Sequence, residues 1–181
     1  MHEPKGVENA LIGQVYIADG ANSGVWTYPS GFAYGELFIS EGVTAQTLPA
    51  SSATAKLNPT AEWTTNGNAN VTLSAANGTI TILQAGEYSL NFYITFNTAS
   101  IASSAIYNFH YAVNGVHSTR RALVKKVSNG VDMLNVSASG IAVFEQNDVL
   151  TMYVGGDATS SSTAITPIEA GFNCILIQPE L

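Results

Sequence analysis

Thr79-Ile80-Thr81-Ile82-Leu83-Gln84-Ala85-Gly86-Glu87-Tyr88-Ser89-Leu90-Asn91-Phe92-Tyr93-Ile94-Thr95-Phe96 decides the fold class. From Glu87 onward the side chains alternate. Tyr88, Leu90, Phe92, Ile94 and Phe96 take one side, and Glu87, Ser89, Asn91, Tyr93 and Thr95 the other. Period two is the pattern of a strand with one buried face. The run before Gly86 reads as a shorter strand, with the glycine at the turn between them.

The same pattern recurs on both sides. Tyr107, Phe109, Tyr111 and Val113 keep one phase, and Asn114-Gly115 then marks a hairpin, since both residues tolerate positive φ. Asn129-Gly130 reads as a second such turn. Residues 35–40, 69–73, 116–127, 131–144, 149–154 and 171–177 complete a set of short strands. Residues 50–55, 99–105 and 160–163 are small and polar and read as loops, because they lack the apolar recurrence of an amphipathic helix. Many short strands with Asn-Gly turns and no helix predict an all-β sandwich, jelly roll or barrel.

Composition narrows the role. Of 181 residues, 46% are hydrophobic and only 10% charged, so the outer surface must rely on Ser, Thr, Asn and Gly. Such a chain is neither disordered nor a long coiled coil. The formal net charge of −7 opposes nucleic-acid binding. One cysteine, Cys174, excludes an internal disulfide and a cysteine zinc site, and its place in an apolar strand predicts a buried, unreactive thiol. No apolar stretch approaches the ~20 residues of a membrane-spanning helix, and residues 1–6 show no signal-peptide pattern.

Residues 1–33 stand apart as an extended arm with five glycines and at most one short strand. Val15, Tyr16, Ile17 and Trp26 are its candidate attachment residues, since such side chains are costly to leave in water. The alternative is a plain linker. Residues 34–181 form the expected folded domain.

No chemistry-bearing constellation emerges. His2, His110 and His117 lack metal-ligand spacing, and no Gly-x-Ser-x-Gly elbow occurs. Asp148 and Asp157 read as turn residues. No catalytic residue, metal or cofactor is assigned. His110 falls out of phase with Phe109 and Tyr111 and is expected at the surface or a subunit interface, and His117 in solvent. Arg120, Arg121, Lys125 and Lys126 are four of the six cationic side chains. They read either as charge that keeps an exposed strand unpaired or as an electrostatic contact to an acidic surface. Tyr93 and Tyr153 are candidates for a subunit interface, against simple exposure.

Four stretches carry a resemblance. Residues 79–92, Tyr111-Ala112-Val113-Asn114-Gly115, residues 138–154 and Gly171-Phe172-Asn173-Cys174-Ile175-Leu176-Ile177 occur in the order of the complement-q-type and tumour necrosis factor-like jelly roll. The resemblance covers about residues 35–178. It implies a jelly-roll β-sandwich of about ten strands, a tight homotrimer, and a binding or structural role without catalysis. No collagen repeat accompanies it. The arm points to another source. His2-Glu3-Pro4-Lys5-Gly6-Val7 and residues 13–26 look like an N-terminal stretch that recurs in tailed-bacteriophage virion proteins.

The expected function is a homotrimeric capsid decoration, cement or head-fibre protein. It would bind the major capsid protein or another virion protein through the arm, on a particle made in the host bacterial cytoplasm. The alternative is a tail-fibre or spike-tip module whose loops at 99–105 and 157–163 recognise a host glycan. Neither nucleic acid nor membrane is an expected partner.

Overall fold

The computed structural model describes residues 15–20, 23–27, 32–50, 53–57, 62–100 and 104–180. The chain divides into two compact units, Met1–Phe32 and Ala33–Leu181. In the first, β1 (Val15–Gly20) and β2 (Ser23–Thr27) form an antiparallel hairpin with Tyr16 opposite Trp26. The arm therefore holds two strands where at most one was expected. Asp19-Gly20 closes β1 and Ser23-Gly24 opens β2, and the apolar patch pairs with its own downstream neighbour.

The second unit continues in chain order with β3 (Tyr34–Ile39), β4 (Gln46–Thr47), β5 (Thr54–Lys56), β6 (Thr64–Ala69), β7 (Val71–Ser74), β8 (Thr79–Ile82) and β9 (Gly86–Thr98). Then come β10 (Ile106–Val113), β11 (Val116–His117), β12 (Ala122–Lys125), β13 (Met133–Phe144), β14 (Val149–Gly156) and β15 (Ala164–Pro179). No helix occurs among the described residues. One sheet runs β11-β10-β14-β8-β7, with β12 on β10 and β5 on β14. The other runs β13-β9-β15-β3-β6, with β4 on β15. Every pairing is antiparallel, and strands distant in sequence are neighbours, as in a jelly roll. The expected ten strands are joined by the short β4, β5 and β11.

The core lies between the sheets. Tyr88, Leu90, Phe92, Ile94 and Phe96 of β9 face Tyr107 and Phe109 of β10 and Leu150, Met152 and Val154 of β14. Phe96 sits 5.3 Å from the Tyr107 ring and 5.2 Å from that of Phe109, centroid to centroid. Removing such a ring costs about 3–5 kcal/mol. Cys174 is buried in this core, and burial pushes its thiol up to about 12.

Two turn expectations part company. Asn114 and Gly115 have φ of 51° and 78° and close the β10–β11 hairpin. Asn129-Gly130 closes no hairpin. It lies in a longer connection that carries the chain from β12 in one sheet to β13 in the other. The expected run at 69–73 is also divided. Asn70, at φ 49°, separates β6 from β7, which belong to different sheets.

Candidate assembly interface

The outer face of the six-stranded sheet is built in rows by the strand register. One row places Ile141 beside Ser89, Ile175 and Tyr34. The next is polar: Ser139, Asn91, Asn173, Glu36 and Asn66. Asn91 Nδ2 donates to Asn173 Oδ1 at 3.2 Å, and Asn66 Nδ2 to Glu36 Oε2 at 3.0 Å. A third row holds Ser137, Tyr93, Gly171 and Phe38. At the edge of this face Ile141 is 52% and Val143 67% exposed, and Ile175 and Ile177 are also half open to solvent. Aliphatic side chains at outward positions of a sheet mark a surface that gains from being covered.

Tyr93 is 41% exposed, and its ring leans across Gly171, where a side chain would collide with it. Glu169 lies one row to one side of this ring and Glu36 one row to the other, because β15 and β3 run antiparallel. Partial burial and then the charges of Glu36 and Glu169 raise the phenol above its ordinary pKa. Tyr153 lies elsewhere, on the outer face of the other sheet, so the structure does not bring the two tyrosines into one patch.

The basic segment is split. Arg120, Arg121 and Lys125 are exposed. Arg120 Nη1 donates to the Ile141 carbonyl at 3.1 Å, on the free edge of β13. Lys126 departs from the expected surface cluster, because it is fully buried. Its ammonium donates to the Gly130 carbonyl and reaches Asp132 Oδ2 at 3.3 Å. Ser128 Oγ donates to Asp132 Oδ1 at 2.6 Å, and with Lys126 it holds the Asp132 carboxyl below its ordinary pKa. A buried charge needs such a partner. The available signal was an aspartate just beyond the Asn129-Gly130 turn.

His110 likewise corrects its expectation. It points away from the core, yet it has no exposed surface. His117 folds over it, with His110 Nε2 and His117 Nδ1 sharing a hydrogen bond at 2.8 Å. Tyr153 stacks on His110 with ring centroids 6.0 Å apart and meets His117 at a tilt, 4.4 Å away, and Thr54 Oγ1 lies 3.1 Å from His117 Nδ1. His117 itself remains exposed. Burial, then the charges of His117 and Arg121, push the His110 imidazole down to about 4. Among the described residues no three His, Cys, Asp or Glu side chains gather into a metal-binding group.

Asp148 and Asp157 serve turns. Asp148 accepts from Glu145 N and Asn114 Nδ2, and Asp157 from Thr159 N and Ser160 N. In the arm, the Tyr16 and Trp26 rings meet edge to face at 5.4 Å, both half-buried, while Val15 is exposed. Ile17 pairs with Val25, and its side chain lies outside the described residues, as do residues 1–14 with the rest of the arm's resemblance.

No protein-family model matches the chain, and no curated protein sequence matches it. Its structure is similar to that of Eiger TNF from S. frugiperda, with a TM-score of 0.55 at 9% identity over 81% of this chain and 93% of that one. It is also similar to the globular domain of zebrafish complement 1qA protein, with a TM-score of 0.52 at 14% identity over 82% and 99%. The topology, the register and these two likenesses agree: the fold is an all-β, two-sheet jelly roll of the tumour necrosis factor and complement 1q type.

Proposed function

We propose that this chain is a bacteriophage virion structural protein, a homotrimer that decorates or cements the capsid, or forms a head fibre, by binding the shell through residues 1–33. The role is binding, without catalysis. The observation that carries the trimer is the set of exposed aliphatic and aromatic side chains on the outer face of the six-stranded sheet, Ile141, Val143, Ile175 and Tyr93, open in a single chain. Covering each half-open aliphatic side chain contributes about 1 kcal/mol. The virion assignment rests on the arm's sequence resemblance. A separate unit whose hairpin presents Tyr16 and Trp26 suits attachment to the major capsid protein or another virion protein. Three arms on one trimer would strengthen a modest single contact by avidity.

Deletion of residues 1–33 tests the reading. The truncated chain should remain a trimer and lose binding to particles. Antibody-gold labelling of intact virions should mark the head. Label at the tail tip would overturn the capsid role in favour of a glycan-recognising fibre module. Particle binding by the truncated chain would overturn the arm as the attachment element.

A further inference from the structure

The apolar face leaves open how one copy addresses the next, and the charges beside it supply an answer. We infer that two copies of this chain meet through unlike surfaces, with Arg120 and Arg121 of one copy seated on the Tyr93–Glu36–Glu169 patch of its neighbour. This rests on the trimer proposed above.

The basic half is an edge. β13 is the outermost strand of its sheet, and its inward positions run Leu134, Val136, Ala138, Gly140, Ala142 and Phe144. The small residues in the middle of that series thin the sheet at its margin. A cleft of about 300 Å³ opens there, with Leu90, Phe92, Tyr111 and Ala138 in its walls and Arg120 and Arg121 beside them. No acidic residue lines it. Gly140 has a specific part, since a Cβ there would stand 2.7 Å from Arg120 Nη1. The missing side chain lets Arg120 lie along the strand and bond the Ile141 carbonyl. That contact uses one of five guanidinium donors. Among the described residues neither arginine has a salt-bridge partner. These are the only two arginines in the chain.

The acidic half is a face. The Tyr93 ring lies over Gly171 with a carboxylate one row away on each side. Glu169 Oε1 accepts from Ser40 Oγ and Glu41 N, and Glu36 Oε2 from Asn66 Nδ2. Each carboxylate keeps its second oxygen without a hydrogen bond among the described residues. An aromatic ring between two fixed carboxylates matches a guanidinium, which stacks on the ring while its edges donate to oxygen. Lysine offers no such plane, and the exposed lysine of this segment, Lys125, is the outlying member.

The two halves cannot be one self-complementary patch. The face lies on the outer side of the six-stranded sheet, and the cleft opens between the sheets at its margin. Each copy thus offers one surface of each kind, and head-to-tail pairing closes when a rotation returns to its start, as in a ring of three. The basic half borders β13, and Tyr93 of the acidic half lies opposite Ser137 of that strand, whose outward Ile141 and Val143 are exposed. The charged contact is therefore continuous with the apolar one. In a chain of net charge −7, it also opposes the repulsion between copies.

Light scattering and sedimentation of the full chain across a concentration series test this, with circular dichroism confirming the fold of each variant. Arg120→Glu with Arg121→Glu should raise the concentration for half-dissociation by about a hundredfold or more. Glu36→Lys with Glu169→Lys should do the same. Combining all four should restore assembly to within about tenfold of wild type. If a reversal variant misfolds, the neutral pair Arg121→Gln and Glu36→Gln takes its place, and the double should then weaken assembly less than the two singles summed. A wild-type trimer indifferent to all these changes, or a four-fold variant no better than either reversal, overturns the pairing alone. A wild-type chain of one-subunit mass overturns the trimer and the pairing together.

Discussion

Tyr93 and Gly171 are a matched pair: a methyl group at position 171 would stand 2.2 Å from Tyr93 Cε1. The glycine lets the ring lie against the sheet and keeps the middle of the face flat. Gly171→Ala should push the ring outward. Because the obstructing atoms belong to a side chain that can swing, the subunit should lose only about 1 kcal/mol. Assembly should suffer far more, with half-dissociation moving to at least about tenfold higher concentration. Chemical denaturation and light scattering on the same variant separate the two effects.

His110 gives stability a pH dependence. Its imidazole stays neutral in the folded chain down to about pH 4, because it is buried and lies near the charges of His117 and Arg121. In the unfolded chain it takes a proton near its ordinary value of about 6.5. The unfolded state therefore binds more protons between these values. Its contribution to stability is whole above about pH 6.5, declines as pH falls, and levels off below about 4. Between pH 7.5 and 5 the loss should be about 2 kcal/mol. Denaturant midpoints across this range should show the slope, and His110→Gln should flatten it.

Lys126 with Asp132 pins the crossing from β12 to β13. Lys126→Met removes the donor and leaves the Gly130 carbonyl and the Asp132 carboxylate short of a partner. The melting temperature should fall by roughly 5 °C. Lys125→Met, one residue away and exposed, should change it by less than about 2 °C. Differential scanning calorimetry distinguishes them, and equal shifts would mean that the Lys126–Asp132 pair holds nothing.

Gly78 closes the turn between β7 and β8 at φ +57°, and a Cβ there would stand 2.7 Å from Trp63 Nε1. That indole nitrogen donates to the Leu57 carbonyl at 3.2 Å. Gly78→Ala combines left-handed backbone strain with displacement of a buried tryptophan, so it should cost about 2–3 kcal/mol. The Trp63 fluorescence maximum should shift to the red. An unchanged spectrum with unchanged stability would refute the contact.

The alternation in residues 87–96 and 106–113 was enough to settle the strands, their buried faces and the hairpin at Asn114-Gly115. Those are local properties, because the side-chain period of a strand and the positive φ of Asn-Gly require no knowledge of distant residues. The buried Cys174 followed in the same way. What failed were readings that depend on which sheet a strand joins. Asn129-Gly130 carries the same local signal as Asn114-Gly115, yet its flanking strands lie in different sheets, so no hairpin forms. Lys126 was read as surface charge because charge alone says surface. Its partner Asp132 becomes a neighbour only when the crossing chain folds back. His110 does occupy an outward position, but whether such a position is open depends on what lies over it, and His117 does. Tyr93 and Tyr153 looked alike as aromatics on polar faces, and the sheet order placed them apart. The sequence by itself determined the periodic elements and their inward sides, since these follow from neighbours along the chain. Only the tertiary structure decided which outward residues share a face, because that depends on the register of strands as much as 141 residues apart, as Ile175 and Tyr34 are.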